Sequence, residues 1–262
     1  MDKLAVELIT LISVYACTDG GQTGCALSLV SKRIRAASRP ARFFTVGLVN
    51  GPAQIEQFLE CFQAERARAT DALPRVRHLC LSLIGKGIDT SGHQPAPFVP
   101  ASQPKSRAEF LAAMQRRAQH WRSTQDNYDD QYNRVVPGLI RAVAPDILTW
   151  ALIQAQWRSS TIVRCCFPNL RDLIVVGGDP SFLPFEFMPG GRPLYPALRH
   201  LQHVLAFVGR DVNFIQWAQH APNLTNLFVL RLDHSPRVTV DTLDQVISKL
   251  QYCLHPRGLS LP

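Results

Sequence analysis

Four groups of residues in this 262-residue chain have types and spacings that could do chemistry, and each lacks something its chemistry requires. Gly20-Gly21-Gln22-Thr23-Gly24 matches a phosphate-cradling loop in outline, but it contains no lysine and follows no strand. His200 and His203 could ligate zinc, yet their spacing is wrong for a zincin helix, no glutamate accompanies them, and they fall in an expected strand. Cys165-Cys166 sits on an apolar stretch just before a proline, which suits core packing better than a nucleophile. Asp126, Asp129 and Asp130 could seat a cation but lack the glycine and distal glutamate of a calcium loop. No G-x-S-x-G elbow exists. We therefore expect no catalytic residues, no metal and no cofactor.

The bulk properties narrow the classes further. Seven cysteines, an odd number without a C-x-x-C pair, fit neither a disulfide framework nor a zinc ribbon and read as reduced thiols. No apolar run approaches the ~18 residues of a membrane span. Met1 to Cys17 has the outline of a secretory signal, but Asp2 and Glu7 oppose that reading, and a cytoplasmic or nuclear location is expected. Without secretion, the Asn223-Leu224-Thr225 sequon has no consequence. The net charge is +8 and is spread along the chain. One basic cluster, Lys32, Arg33, Arg35, Arg39 and Arg42, reads as a solvated helix face rather than a nucleic-acid surface.

The elements that would carry such residues begin with a helix over 3–17. Leu4, Leu8, Leu11, Ile12 and Tyr15 follow helical spacing, and Ala5, Ile9 and Ala16 widen the apolar stripe, leaving a narrow polar edge. A helix this greasy must be covered from more than one side. After the glycine-rich connector, a second helix places Leu27, Val30, Ile34 and Ala37 on one face and ends at Arg39-Pro40. Phe43 to Val49 reads as a strand, and Asn50-Gly51-Pro52 opens a helix with Ile55, Phe58, Leu59 and Phe62 inward.

A repeat then sets the architecture. Pro74-Arg-Val76-Arg-His-Leu79-Cys-Leu81 is matched by Pro168-Asn-Leu170-Arg-Asp-Leu173-Ile-Val175, by Pro196-Ala-Leu198-Arg-His-Leu201-Gln-His203 and by Pro222-Asn-Leu224-Thr-Asn-Leu227-Phe-Val229. L-x-x-L-x-L at a period of about 26–28 residues, each copy preceded by a helix-like stretch such as Val212 to His220, is the sequence form of an irregular leucine-rich repeat. Such units bury their apolar sides only by stacking into an α/β solenoid. His203 stands where an apolar residue belongs, and a one-residue bulge would turn Val204 inward instead. Two loops interrupt the pattern, at 85–106 and 177–196. Between them, Arg107 to Arg122 returns to helix and Asp126 to Asp130 marks a polar break. The second loop carries Phe182, Phe185, Phe187 and Tyr195 among prolines; these rings could recognise a target protein or fold back over the repeat core.

Residues 4–49 resemble a fungal F-box-like domain. The likeness is carried by Leu4, Glu7-Leu8-Ile9, Ile12, Tyr15 through Gly21, Thr23-Gly24-Cys25, Leu27-Ser28-Leu29-Val30-Ser31-Lys32, Ile34-Arg35, Arg39-Pro40 and Arg42-Phe43, with Ala5 standing where the family has proline. The resemblance implies a helical module over 1–49 that docks onto the adaptor subunit of a cullin–RING ubiquitin ligase. It is followed by a repeat domain over 50–262 that captures the protein to be ubiquitylated, and the receptor has no catalysis of its own. It places the adaptor contact on Leu4, Leu8, Ile9, Ile12, Leu27, Val30 and Ile34. Its partners would be the adaptor and cullin and an unknown target, with neither nucleic acid nor membrane. The alternative is a repeat scaffold whose F-box-like segment serves only as a helical cap; an enzyme is a third possibility for which no site is found.

Overall fold

The computed structural model describes residues 4–69, 73–84, 107–154, 161–205, 212–230 and 239–246 apart from 244. It is a mixed α/β fold built on a six-stranded parallel sheet. In chain order the elements are α1 (Val6–Ala16), α2 (Gln22–Val30), α3 (Lys32–Ser38), β1 (Thr45–Leu48), α4 (Pro52–Arg68), β2 (His78–Ser82), α5 (Arg107–Val143), β3 (Thr149–Ile153), β4 (Asp172–Val176), β5 (His200–Val204), α6 (Phe214–His220) and β6 (Asn226–Leu230). The strands lie side by side in the order in which the chain makes them, β1 to β6. The expected loop at 85–106 lies outside the described residues.

The register follows the repeat. Leu79, Trp150, Leu173, Leu201 and Leu227 stand opposite one another along the sheet, and so do Leu81, Leu152, Val175, His203 and Val229. Side chains alternate faces along a strand, so these two rows, with Val46 and Leu48 of β1, all reach the core side, where α4, α5 and α6 supply Ile55, Phe62, Val136, Leu139, Ile140, Phe214 and Trp217. Six parallel strands result rather than the five given by the four repeat copies and the Phe43 to Val49 strand, because one more segment obeys the same spacing. Pro145-Asp-Ile147-Leu-Thr-Trp150-Ala-Leu152 makes β3, with an indole in place of the leucine, and Val46 of β1 pairs in register with Leu79.

Three expectations change. The second helix is two helices. Ser31 takes extended dihedrals (φ −159°, ψ 162°) and its hydroxyl accepts the Ile34 N–H at 3.2 Å, so it caps α3 rather than continuing α2. The polar run Asp126 to Asp130 does not break α5, which continues for 37 residues with Pro137 inside it. Tyr132, Val136, Leu139, Ile140 and Val143 recur at helical spacing and are all buried, and that burial outweighs the polar run and the proline. No bulge occurs at His203, which pairs in register with Val175 and is itself buried, its ring edge-on to Phe214 and Trp217.

No helix precedes β5, because residues 177–199 form turns around an isolated Met188–Arg192 bridge. Aromatic rings from this segment do a helix's job. Tyr195 stacks between Phe167 and Trp217 at 5.5 and 5.2 Å, Phe182 meets Trp150 edge-on at 6.5 Å, and Phe185 meets Trp217 at 5.0 Å. The segment is clipped by Asp179, whose carboxylate accepts the Trp217 Nε1–H at 2.7 Å and the Asn213 main-chain N–H at 2.8 Å. Its entry at Gly177 (φ +116°) lies so close to Gln154 that a Cβ would sit 2.4 Å from that residue's carbonyl oxygen.

Candidate functional site

The N-terminal helices are held together by a thin interface. In α1 only Ile9 and Ser13 are buried, and they face Ile34, Ala37 and Ser38 of α3. The Thr10 hydroxyl donates to the Ala37 carbonyl at 2.9 Å, and the Arg33 guanidinium donates to the Leu4 carbonyl. α2 is opened by Asp19, whose carboxylate accepts the Thr23 N–H at 2.8 Å and the Thr23 hydroxyl at 2.6 Å; these bonds hold its carboxyl below the usual range. Gly20 and Gly21 both have positive φ there, a conformation that favours glycine. The Gly20 carbonyl accepts the Gly47 N–H at 3.0 Å, tying the helical segment to β1.

That interface leaves most of the apolar surface outside. Leu8, Leu11, Ile12 and Tyr15 are exposed to 49–76% and, at 100° per residue, fall on one stripe of α1 about 100° wide, with Leu4, exposed to 37%, just ahead of the helix. On α2, Leu29 and Val30 are exposed to 80% and 62%. The α1 stripe together with Leu4 presents on the order of 600 Å², the upper end of the largest patch on a typical monomer.

Of the seven residues expected at an adaptor contact, Leu4, Leu8, Ile12 and Val30 are exposed, Leu27 is half-buried, and Ile9 and Ile34 are buried against each other's helices. On α1 the helix's own two faces separate exposed from buried residues, while the break at Ser31 leaves Val30 out and Ile34 in. Leu11, Tyr15 and Leu29 join the exposed set. Of the four loop aromatics, Phe182 and Tyr195 are wholly buried and Phe185 is half-buried, so these three fold back over the core. Phe187 is 53% exposed, stacks on His220 at 4.2 Å and lines a pocket of about 380 Å³ beside the Arg164–Glu186 ion pair.

The sheet's outward face forms a second surface that sequence reasoning missed. Thr45, His78, Thr149, Asp172, His200 and Asn226 stand in one cross-strand row. His78 Nδ1 lies 2.8 Å from the Thr149 hydroxyl, and His200 Nδ1 lies 2.5 Å from the Asp172 carboxylate. Burial and the neighbouring Arg77 charge hold the His78 imidazole below its ordinary value. The next row is mostly apolar apart from Gln202, with Ile174 and Phe228 exposed to 40% and 59%. The signal was present as the polar residue that precedes each repeat leucine, in His78-Leu79, Asp172-Leu173 and His200-Leu201.

Chemistry is not favoured elsewhere. Burial pushes the Cys165 thiol up to about 11 and moves Cys17, Cys80 and Cys166 in the same direction, away from nucleophilic thiolates. Among the described residues no three His, Cys, Asp or Glu side chains converge as a metal site, and no helix is long and apolar enough to cross a membrane. Comparisons with family models, with curated proteins and with solved structures found no match.

Proposed function

We propose that this chain is a non-catalytic substrate receptor of a cullin–RING ubiquitin ligase, acting in the cytoplasm or nucleus. In this reading an F-box-like module docks the ligase adaptor, and an irregular leucine-rich-repeat solenoid holds the target. The observation that carries the proposal is the outward apolar stripe of α1. Leu8, Leu11, Ile12 and Tyr15 recur along a helix whose own packing uses only Ile9 and Ser13, and Leu4 just ahead of it is exposed as well. A helix that leaves this much apolar surface in water is stabilised when a groove or a partner helix covers it. The sequential parallel strands, each carrying its leucines to one face, support the solenoid half. The experiment is co-purification of the tagged chain with recombinant adaptor and cullin. Recovery of both with the native chain and loss of both in a Leu8→Asp, Ile12→Asp variant is expected; recovery unchanged by those charges refutes the proposal.

One observation favours a second reading, that the helical segment is a cap. The Gly20–Gly47 hydrogen bond and the close fit of Gly24 against Arg42, where a Cβ would come within 2.9 Å of the carbonyl oxygen, seat this segment on β1. β1 itself falls within the expected 1–49 module yet is the first strand of the sheet. Under the cap reading, deletion of residues 1–44 leaves a poorly soluble protein and the intact chain binds no adaptor.

A further inference from the structure

One feature of the repeat is absorbed neither by packing nor by docking. Three of its copies carry arginine two residues before the repeat leucine, as Arg77, Arg171 and Arg199. The fold lines them up. The Phe44 carbonyl accepts the N–H groups of Arg77 and His78, the Arg77 carbonyl those of Leu148 and Thr149, and the Leu148 carbonyl those of Arg171 and Asp172. The Arg171 carbonyl in turn accepts the N–H groups of Arg199 and His200, and the Arg199 carbonyl those of Thr225 and Asn226. Phe44, Arg77, Leu148, Arg171, Arg199 and Thr225 are therefore one pinned row along the end of the sheet where the strands begin.

Arg171 and Arg199 are exposed and Arg77 is half-exposed, so all three reach solvent. At about 4.8 Å per strand step, Arg171 and Arg199 are immediate neighbours and the three span about 14 Å. Like charges placed opposite each other across strands are unfavourable, and among the described residues no carboxylate pairs with any of the three. Of the nearby acids, Asp146 pairs with Arg75 at 3.7 Å, and Asp172 lies 2.5 Å from His200 Nδ1. The row thus presents three arginines without an ion-pair partner among the described residues, along the starts of the strands.

We infer that this strip binds an extended acidic peptide segment, laid across the starts of β2 to β5. About four extended residues span the same 14 Å, so a short run of acidic side chains matches the length of the row. The inference deepens the target-capture half of the proposed function, which it rests on for its biological use; the binding event is measurable by itself.

The test is fluorescence anisotropy of the full chain in low salt. The probe is a labelled ten-residue peptide containing four consecutive glutamates, with its glutamine counterpart as control. The acidic peptide is expected to bind and the glutamine peptide to fail. Arg171→Gln and Arg199→Gln each weaken binding about threefold, and the triple variant with Arg77→Gln weakens it about thirtyfold. Arg134→Gln, on the exposed side of α5, leaves it unchanged. Raising the salt well past the ~0.1 M at which screening sets in near 10 Å weakens binding in parallel. Thermal melting shows the variants folded, since the altered side chains lie in solvent. Equal affinity of the triple variant, absence of acidic-peptide binding by the native chain, or tighter binding of a single-stranded oligonucleotide with the same arginine dependence overturns the inference. Adaptor binding by the triple variant is expected to persist, and peptide binding by the Leu8→Asp, Ile12→Asp variant likewise, so that failure of the strip and failure of the docking surface are told apart.

Discussion

The division of α1 into an outward and an inward face makes a quantitative prediction. Leu8 is 49% exposed and Ile12 56%, so each offers roughly 100 Å² to a partner, which at ~25 cal/mol per Å² is about 2.5 kcal/mol of binding free energy. Truncating either to alanine removes most of that side-chain area and should weaken adaptor binding by about 2 kcal/mol, roughly thirtyfold in Kd. Aspartate at both positions also forces charge into the contact and should abolish measurable binding. The same changes should cost about 1 kcal/mol of folding stability or less, because about half of each side chain is already in water. Ile9→Ala provides the contrast. Ile9 is only 8% exposed, so its truncation should cost about 2–4 kcal/mol of stability. The assay pairs isothermal titration with recombinant adaptor against urea denaturation of the free chain. A collapse of stability in the Leu8 variant, or a thermodynamically silent Ile9→Ala, would refute the assignment of faces, and tight binding by the double aspartate variant would refute docking.

Three further outcomes follow from the packing. Gly177→Ala meets both a positive φ and the Gln154 carbonyl oxygen, and should cost at least about 3 kcal/mol in urea denaturation; Gly51→Ala, also at positive φ but with open space around it, should cost about 1–2 kcal/mol. Asp179→Ala removes the acceptor for both Trp217 and Asn213 and should lower stability by about 3 kcal/mol, read as a fall in Tm together with a change in tryptophan fluorescence as Trp217 loses its tether. Burial holds the His220 imidazole below its ordinary 6.5, against the raising effect of its hydrogen bond with the Phe185 backbone. The unfolded chain therefore takes up that proton first, so the His220 contribution is fully present above pH 6.5 and is lost as pH falls from there through the folded value. A His220→Leu variant should show a shallower decline of Tm over that window, and an unchanged slope would refute the assignment.

Much of this fold was legible because the repeat encodes its own register. The proline and two apolar residues of each copy fix where the chain turns in and which side chains point to the core, and all four copies found in this way are strands. β3 escaped because Trp150 occupies the leucine position. An indole fills that slot when Phe167 stacks on it at 5.2 Å, a complement no local pattern reveals. His203 misled for a related reason. A buried imidazole in an apolar row reads as an error until Phe214, Trp217 and Asp179, 11 to 24 residues away, are placed around it. The length of α5 was hidden by polar residues that tertiary burial overrides. At the candidate surface, sequence found the oversupply of apolar residues in 4–34 but could not sort them, because the sorting depends on which edge of α1 meets α3 and on the extended residue Ser31 between α2 and α3.

The sheet order has a mechanical corollary. Each strand is hydrogen-bonded only to the one before it and the one after it, so no strand from the far end of the chain clamps the near end. Tension applied through the two ends should peel the chain open strand by strand from a free edge, giving a staircase of small ruptures rather than a single abrupt break.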